Sequence, residues 1–277
     1  MKIGFVTLGM GAQSLDQVLA AARQAGCESM ELNGREAVHG NLWAPPIDYL
    51  GMQREIDASG VEASSLGGYC NFAVLSDEAL AEEVRVLLGY CDIARHMGIP
   101  VVRAFPGDVL EGHSLDELYP RIVEGFRIAA AEIDGWDLRI GIENHGRLLN
   151  DGDQLADLVH DVASPLVGIT LDTGNFCWAG HPIDTAHRFF DRLAPLTVSV
   201  HVKDGRLVRD QWTVTPAGRG DIDLPGLYSA LEAAGYDGPV QSEYEGEAPF
   251  LPSTTESVAY LRGLRDGSAK RRHGSRG

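Results

Sequence analysis

The chain is poor in cysteine, poor in positive charge and free of long apolar runs. Four cysteines, Cys27, Cys70, Cys91 and Cys177, are scattered over 277 residues with no C-x-x-C pair. That spacing offers neither a disulfide framework nor a thiolate metal site, and it fits reduced thiols. Only 23 Lys and Arg stand against 40 Asp and Glu, for a formal net charge of −17. Nucleic-acid binding needs clustered basic side chains that release counterions from phosphates, so no nucleic-acid partner is expected. A small neutral or metal-chelated substrate fits better. No apolar run approaches the ~20 residues that a membrane span requires. The N-terminus enters directly into the strand-like Lys2–Thr7 without a basic, apolar and small-residue leader, so a soluble cytoplasmic protein with no membrane partner is expected. No glycine-rich dinucleotide fingerprint follows that first segment.

What is present is alternation. Strand-like segments fall near 3–8, 28–32, 61–67, 100–105, 138–143, 167–172, 197–203 and 239–244, with helical patterns near 14–25, 45–58, 77–97, 115–133, 151–161, 183–193, 224–234 and 254–265. Ser14, Asp77, Ser114 and Asp223 are candidate N-caps, and Gly26, Gly60, Gly98 and Gly235 stand where helices want a left-handed residue. Eight strands strictly alternating with eight helices select a closed α/β barrel, a (β/α)8 TIM barrel, over an open doubly wound sheet. One domain is expected over residues 1–266. The remaining 267–277, with Lys270, Arg271, Arg272 and Arg276 among Gly and Ser and nothing to bury, reads as a basic disordered tail. Two longer loops, 33–44 with His39, Asn41 and Trp43, and 204–222 with Arg206, Arg209, Trp212 and Arg219, are expected to cover a substrate on the rim. A loop of that size can also serve as an assembly contact between subunits of a homo-oligomer.

Four residues end the last four strand-like runs: Glu143, Asp172, His201 and Glu243. The first three are spaced 29 residues apart and the last follows after 42, about one βα unit per step. In a parallel barrel the C-terminal strand ends converge on one rim, so these side chains are expected to meet as a metal site. Three carboxylates and one imidazole form an oxygen-rich donor set that suits Mn, Mg or Co better than a closed thiolate zinc site. With open positions left, the ion could take a substrate carbonyl and adjacent hydroxyl and acidify the intervening C–H. A glutamate that binds metal can also serve as general base. Return of the proton to the opposite face inverts a centre, return to the neighbouring carbon interconverts aldose and ketose, and loss of a β-substituent gives elimination. Strand alternation puts His145 on the face of Glu143 and Lys203 on the face of His201, so both are candidate catalytic groups. Lys203 could instead pair with Asp204 or a rim carboxylate. Arg103, ending the fourth strand, could hold a substrate oxygen or pair with a carboxylate.

These residues resemble a known family. Gly141-Ile142-Glu143-Asn144-His145, Leu171-Asp172-Thr173-Gly174-Asn175, His201-Val202-Lys203-Asp204 and Ser242-Glu243-Tyr244-Glu245 are similar to the motifs of the divalent-metal sugar phosphate isomerases and epimerases with a xylose isomerase-like TIM barrel, also called the endonuclease IV-like superfamily. The resemblance covers essentially the whole chain. It implies a metal-dependent isomerase or epimerase of carbohydrate metabolism, working on a sugar or cyclitol through an enediolate, with Glu143 and Glu243 as acid/base ligands. It also implies a substrate-facing role for Glu31. Many epimerases carry His where this chain has Asn175, which can still hydrogen-bond a sugar hydroxyl. The extra histidines of the endonuclease branch are lacking, which argues against DNA repair. Glu-x-His and His-x-Lys pairs look like those of the family's lyases, such as inosose and dehydroshikimate dehydratases and enzymes cleaving 3-oxo C-glycosides, so a lyase is the second reading. A non-catalytic sugar-binding protein is the third. No phosphate cradle is evident, which favours an unphosphorylated substrate.

Overall fold

A computed structural model describes residues 1–35, 46–209 and 211–274; of 268–274 it describes the backbone. The chain runs β1 (Lys2–Val6), α1 (Leu15–Ala25), β2 (Ser29–Asn33), α2 (Tyr49–Ser59), β3 (Glu62–Gly67), α3 (Asp77–Met97), β4 (Val101–Ala104) and α4 (Leu115–Glu132). It continues through β5 (Arg139–Glu143), α5 (Gly152–Val162), β6 (Val167–Asp172), a short α6 (Asn175–Trp178), α7 (Ile183–Leu193) and β7 (Thr197–Val202). The last elements are β8 (Asp204–Val208), β9 (Gln211–Thr215), α8 (Leu224–Ala233), β10 (Pro239–Ser242) and α9 (Phe250–Gly274). Strands β1 to β7 and β10 pair in parallel, each with its sequence neighbour, and β10 closes the barrel against β1.

Side-chain alternation explains how the barrel carries both a core and a site. On β6, Val167, Ile169 and Leu171 join the continuous hydrophobic core beneath the helices. Gly168, Thr170 and Asp172 therefore face the barrel axis. The axis below the rim is filled with small and polar groups: the Gln241 amide donates to Ser29 Oγ (3.2 Å) and Ser64 Oγ (2.7 Å). This layer forms a floor under the strand ends. Helix starts are chemically defined, as at α4, where Ser114 Oγ accepts from the Glu117 N–H and the Glu117 carboxylate accepts from the Ser114 N–H (2.8 Å), a reciprocal capping box. Gly26, Gly60, Gly98 and Gly235 all take positive φ, as expected.

Three local expectations change. The cap of α3 is Ser76, whose Oγ accepts from the Ala79 N–H (3.1 Å), and Asp77 is the first helical residue. A hydroxyl one residue earlier wins the cap, while Asp77 favours the positive helix end. Residues 204–222 do not form one irregular loop, because β8 and β9 build an antiparallel hairpin there. The β-branched alternation Thr213-Val214-Thr215 accounts for its second strand. Finally, of the segment 267–277 expected as a tail, the described backbone continues α9 to Gly274, and the rest lies outside the described residues. Ala, Lys and Arg are good helix formers, and cations favour a helix C-terminus. The 33–44 loop expectation, with His39, Asn41 and Trp43, falls outside the described residues beyond Arg35. Among the described residues, no helix is long and apolar enough to cross a membrane.

Candidate metal centre

Glu143, Asp172, His201 and Glu243 meet at the C-terminal mouth of the barrel, each offering one donor atom within 4.8 Å of all the others. All four are buried. Two side-chain clamps align the strand ends that carry them. The Asn144 amide donates to Asp172 O (2.9 Å) and its oxygen accepts from the Asp172 N–H (2.8 Å), joining β5 to β6. Thr173 does the same for β6 and β7, its hydroxyl donating to Lys203 O (2.6 Å) and accepting from the Lys203 N–H (3.0 Å). Asp172 Oδ1 is itself held by the Gly174 and Asn175 N–H groups at 2.9 and 2.8 Å. Its other oxygen is thereby aimed into the cluster.

The donor atoms fit a cation. Asp172 Oδ2, His201 Nδ1 and Glu243 Oε2 are buried and have no hydrogen-bond partner, a costly condition unless something else satisfies them. His201 Nδ1 lies 3.0 Å from Glu243 Oε2 and 3.6 Å from Glu143 Oε1, so three donors look toward one point. Half-exposed Glu245 aside, the carboxylates of Glu31, Glu143, Asp172 and Glu243, when ionised, outnumber the buried cations of Arg103 and Lys203 by two. One dication balances that excess.

Charge also sets the protonation states. Burial pushes the Asp172 carboxyl up to about 7, with Glu243 and Glu143 adding to the rise against the pull of Lys203. Burial would likewise raise Glu143, but Arg103 and His201 hold it below the usual carboxylate range. Glu243 is also held low against burial, by Lys203 and His201. His201, which burial alone would lower, is raised well above its ordinary value by Glu31 and Glu243.

The other residues singled out from the sequence divide. Lys203 is in the cluster, its Nζ 3.4 Å from both Asp172 Oδ2 and Glu243 Oε2 and 2.8 Å from Glu245 Oε2. Asp204 is not its partner; that carboxylate instead caps the turn after the hairpin, accepting from the N–H groups of Gly218 (2.8 Å) and Gly220 (2.9 Å). Asn175 bridges Lys203 (3.2 Å) and Glu143 Oε1 (3.2 Å), so its amide orders the ligands. Arg103 is committed to protein groups: it donates to Gly68 O (2.9 Å) and lies 3.1 Å from Glu143 Oε2 and 3.5 Å from Glu31 Oε1. Gly67 makes room for it, since a Cβ there would stand 2.7 Å from the guanidinium. Glu31 is wholly buried and faces His201 Nε2 at 2.8 Å. His145 stacks its ring on Phe105 at 4.1 Å; burial lowers its basicity, outweighing the charges of Glu143, Lys203, Arg103 and Glu243, which it is near enough to feel. β5 ends at Glu143, so strict alternation no longer aims the side chain two residues on.

Sequence reading missed Asn144, Thr173, Ser65 and Glu245 as parts of this site. A short polar side chain directly after a ligand was the available signal for Asn144 and Thr173. For Ser65, which donates to Glu31 Oε2 (2.8 Å), no signal in the sequence existed.

A model of the xylose isomerase-like TIM barrel family matches residues 19–264. The chain belongs to this family. An uncharacterized protein of Methanocaldococcus jannaschii is 27% identical over 208 residues, covering 69% of this chain and 68% of that protein. Among solved structures, a D-tagatose 3-epimerase-like protein superposes with a TM-score of 0.80 at 19% identity, covering 98% of this chain and 99% of that one. The IOLI protein with a bound zinc atom superposes at 0.74 and 17% identity, with 96% of each chain covered. At these identities the structural matches establish the fold of this xylose isomerase-like barrel, and its chemistry must be argued from its own residues.

Proposed function

We propose that this barrel is a divalent-metal-dependent isomerase or epimerase of a sugar or cyclitol, with Glu143, Asp172, His201 and Glu243 as ligands and the two glutamates as acid and base. The observation that carries the reading is the convergence of buried donor atoms of Asp172, His201 and Glu243, none with a hydrogen bond, beside Glu143. A dication bound there supplies Lewis acidity toward a carbonyl and its neighbouring hydroxyl. The oxygen-rich set favours Mn, Mg or Co over Zn, although the similar IOLI structure carries zinc.

Glu143 and Glu243 are both held in the ionised form that accepts a proton. They differ in freedom. Glu143 is held by Arg103 and Asn175, whereas Glu243 Oε2 has no hydrogen bond and faces the charges of His201 and Lys203. Glu243 is accordingly the better mobile base, removing the proton α to the carbonyl to leave an enediolate and keeping that proton for return to the neighbouring carbon in an isomerisation; for inversion Glu143 must first take a proton from solvent, which it then delivers to the opposite face. Asn175 and Lys203 are close enough to the ligands to orient substrate hydroxyls. The buried Lys203 ammonium favours one further reading: as an acid next to Glu243 it could protonate a departing β-hydroxyl, making the enzyme a lyase. Incubation of the Mn-loaded protein in D₂O with ketohexoses, ketopentoses and inososes tests both. Deuterium at a carbon α to the carbonyl, with an epimeric or isomeric product, is expected; enone formation selects the lyase, and full retention of protium across the panel refutes both enzymes.

A further inference from the structure

The structure assigns Glu31 as the positioning residue that selects which nitrogen of His201 is offered to the metal. The inference rests on the metal-centre reading above. Glu31 is the middle residue of β2, three strands round the barrel from β7 and His201, and is fully buried. Its Oε2 lies 2.8 Å from His201 Nε2 and also accepts from Ser65 Oγ at 2.8 Å. Its Oε1 has no hydrogen bond but lies 3.5 Å from Arg103 Nε. A carboxylate with only acceptors can partner a ring nitrogen only when that nitrogen carries hydrogen. Nε2 therefore keeps its N–H, and Nδ1, turned toward Glu143 and Glu243 without a hydrogen bond, is the nitrogen left to the ion once the ion displaces its proton.

The surroundings make this orientation rigid. Ser65 fixes the carboxylate, and the Arg103 guanidinium, set between Glu31 and Glu143, ties the orienting group of one ligand to the carboxylate of another. The Arg103 guanidinium lies 4.7 Å from the Tyr69 ring and 4.4 Å from the Phe105 ring, which meet edge to face beside it. Glu31 thus has no side-chain atom facing open space, and a direct substrate contact is not its role. Carboxylates behind metal-bound histidines typically contribute roughly 10- to 100-fold in metal affinity.

The test is divalent-ion affinity, read by competition of Mn²⁺ and Zn²⁺ with a chromophoric chelator, on wild type, Glu31→Gln and Ser65→Ala. Side-chain ¹⁵N shifts of His201 in the Zn²⁺-loaded proteins provide the second readout. Expected are stoichiometric binding by wild type, an Nε2–H tautomer, a loss of roughly 10- to 100-fold in Glu31→Gln and a smaller loss in Ser65→Ala. Wild-type affinity in a folded Glu31→Gln, or zinc on Nε2, overturns the inference while leaving the metal centre standing. Absence of binding by wild type overturns the metal centre itself. If Glu31→Gln fails to fold, Ser65→Ala decides, and its unchanged affinity with an unchanged His201 spectrum overturns the inference.

Discussion

Metal affinity should climb steeply with pH, and the slope can be worked out from the cluster. In the metal-free protein His201 is protonated across the neutral range, because Glu31 and Glu243 raise it well above its ordinary value against the effect of burial. Asp172 is protonated below about 7, since burial and the two neighbouring glutamates disfavour its charge. Glu143 and Glu243 are held ionised and bring no proton to displace. A divalent ion needs a bare Nδ1 and an ionised Asp172, so binding expels about two protons below pH 7 and about one above it. Each expelled proton changes affinity about tenfold per pH unit, or about 1.4 kcal/mol. Affinity should therefore rise about 50-fold from pH 6 to 7 and about 20-fold from pH 7 to 8. Calorimetry in two buffers of different ionisation enthalpy counts the protons directly. Affinity that is flat from pH 6 to 8, with no buffer-dependent heat, would refute the charge assignment of the cluster.

Other outcomes follow from the same geometry. Asp172→Asn and His201→Ala should each abolish bound divalent metal while the far-ultraviolet circular dichroism of the barrel persists; stoichiometric metal in either variant sinks the ligand assignment. Glu243→Gln should lose turnover more than metal, because an amide oxygen coordinates but cannot take the α-proton, and wild-type turnover there reassigns the base. Lys203→Met should bind the ion more tightly and turn over more slowly, since a cation beside Asp172 and Glu243 is removed; weaker binding would show that Lys203 holds the ligands in place. Asn144→Ala removes two buried hydrogen bonds between β5 and β6 and should cost about 2–3 kcal/mol in urea unfolding, with an unchanged midpoint contradicting the clamp.

How much of the site was legible depended on chain direction. Parallel strands all end on the same rim, so four ligand-type residues closing successive apolar runs had to meet if the barrel closed. Lys203 followed from alternation one step past His201, because β7 runs to Val202 and keeps its pleat. His145 did not, because β5 ends at Glu143 and the ring turned to Phe105. The hairpin at 204–215 was overlooked because turn glycines and arginines masked the short alternation of Thr213-Val214-Thr215.

By itself, the order of residues determined the barrel, its family and the four side chains that converge at its mouth, because hydrophobic period, capping residues and strand ends are local properties of the chain. Only the tertiary structure decided what Glu31 and Arg103 do. Glu31 meets His201 from 170 residues away, and Arg103 meets Glu31, Glu143 and Gly68 O. Such pairings are made by barrel closure, which brings β2, β4, β5 and β7 to one buried mouth where each charge must find a counter-charge. No spacing along the chain records which one it finds.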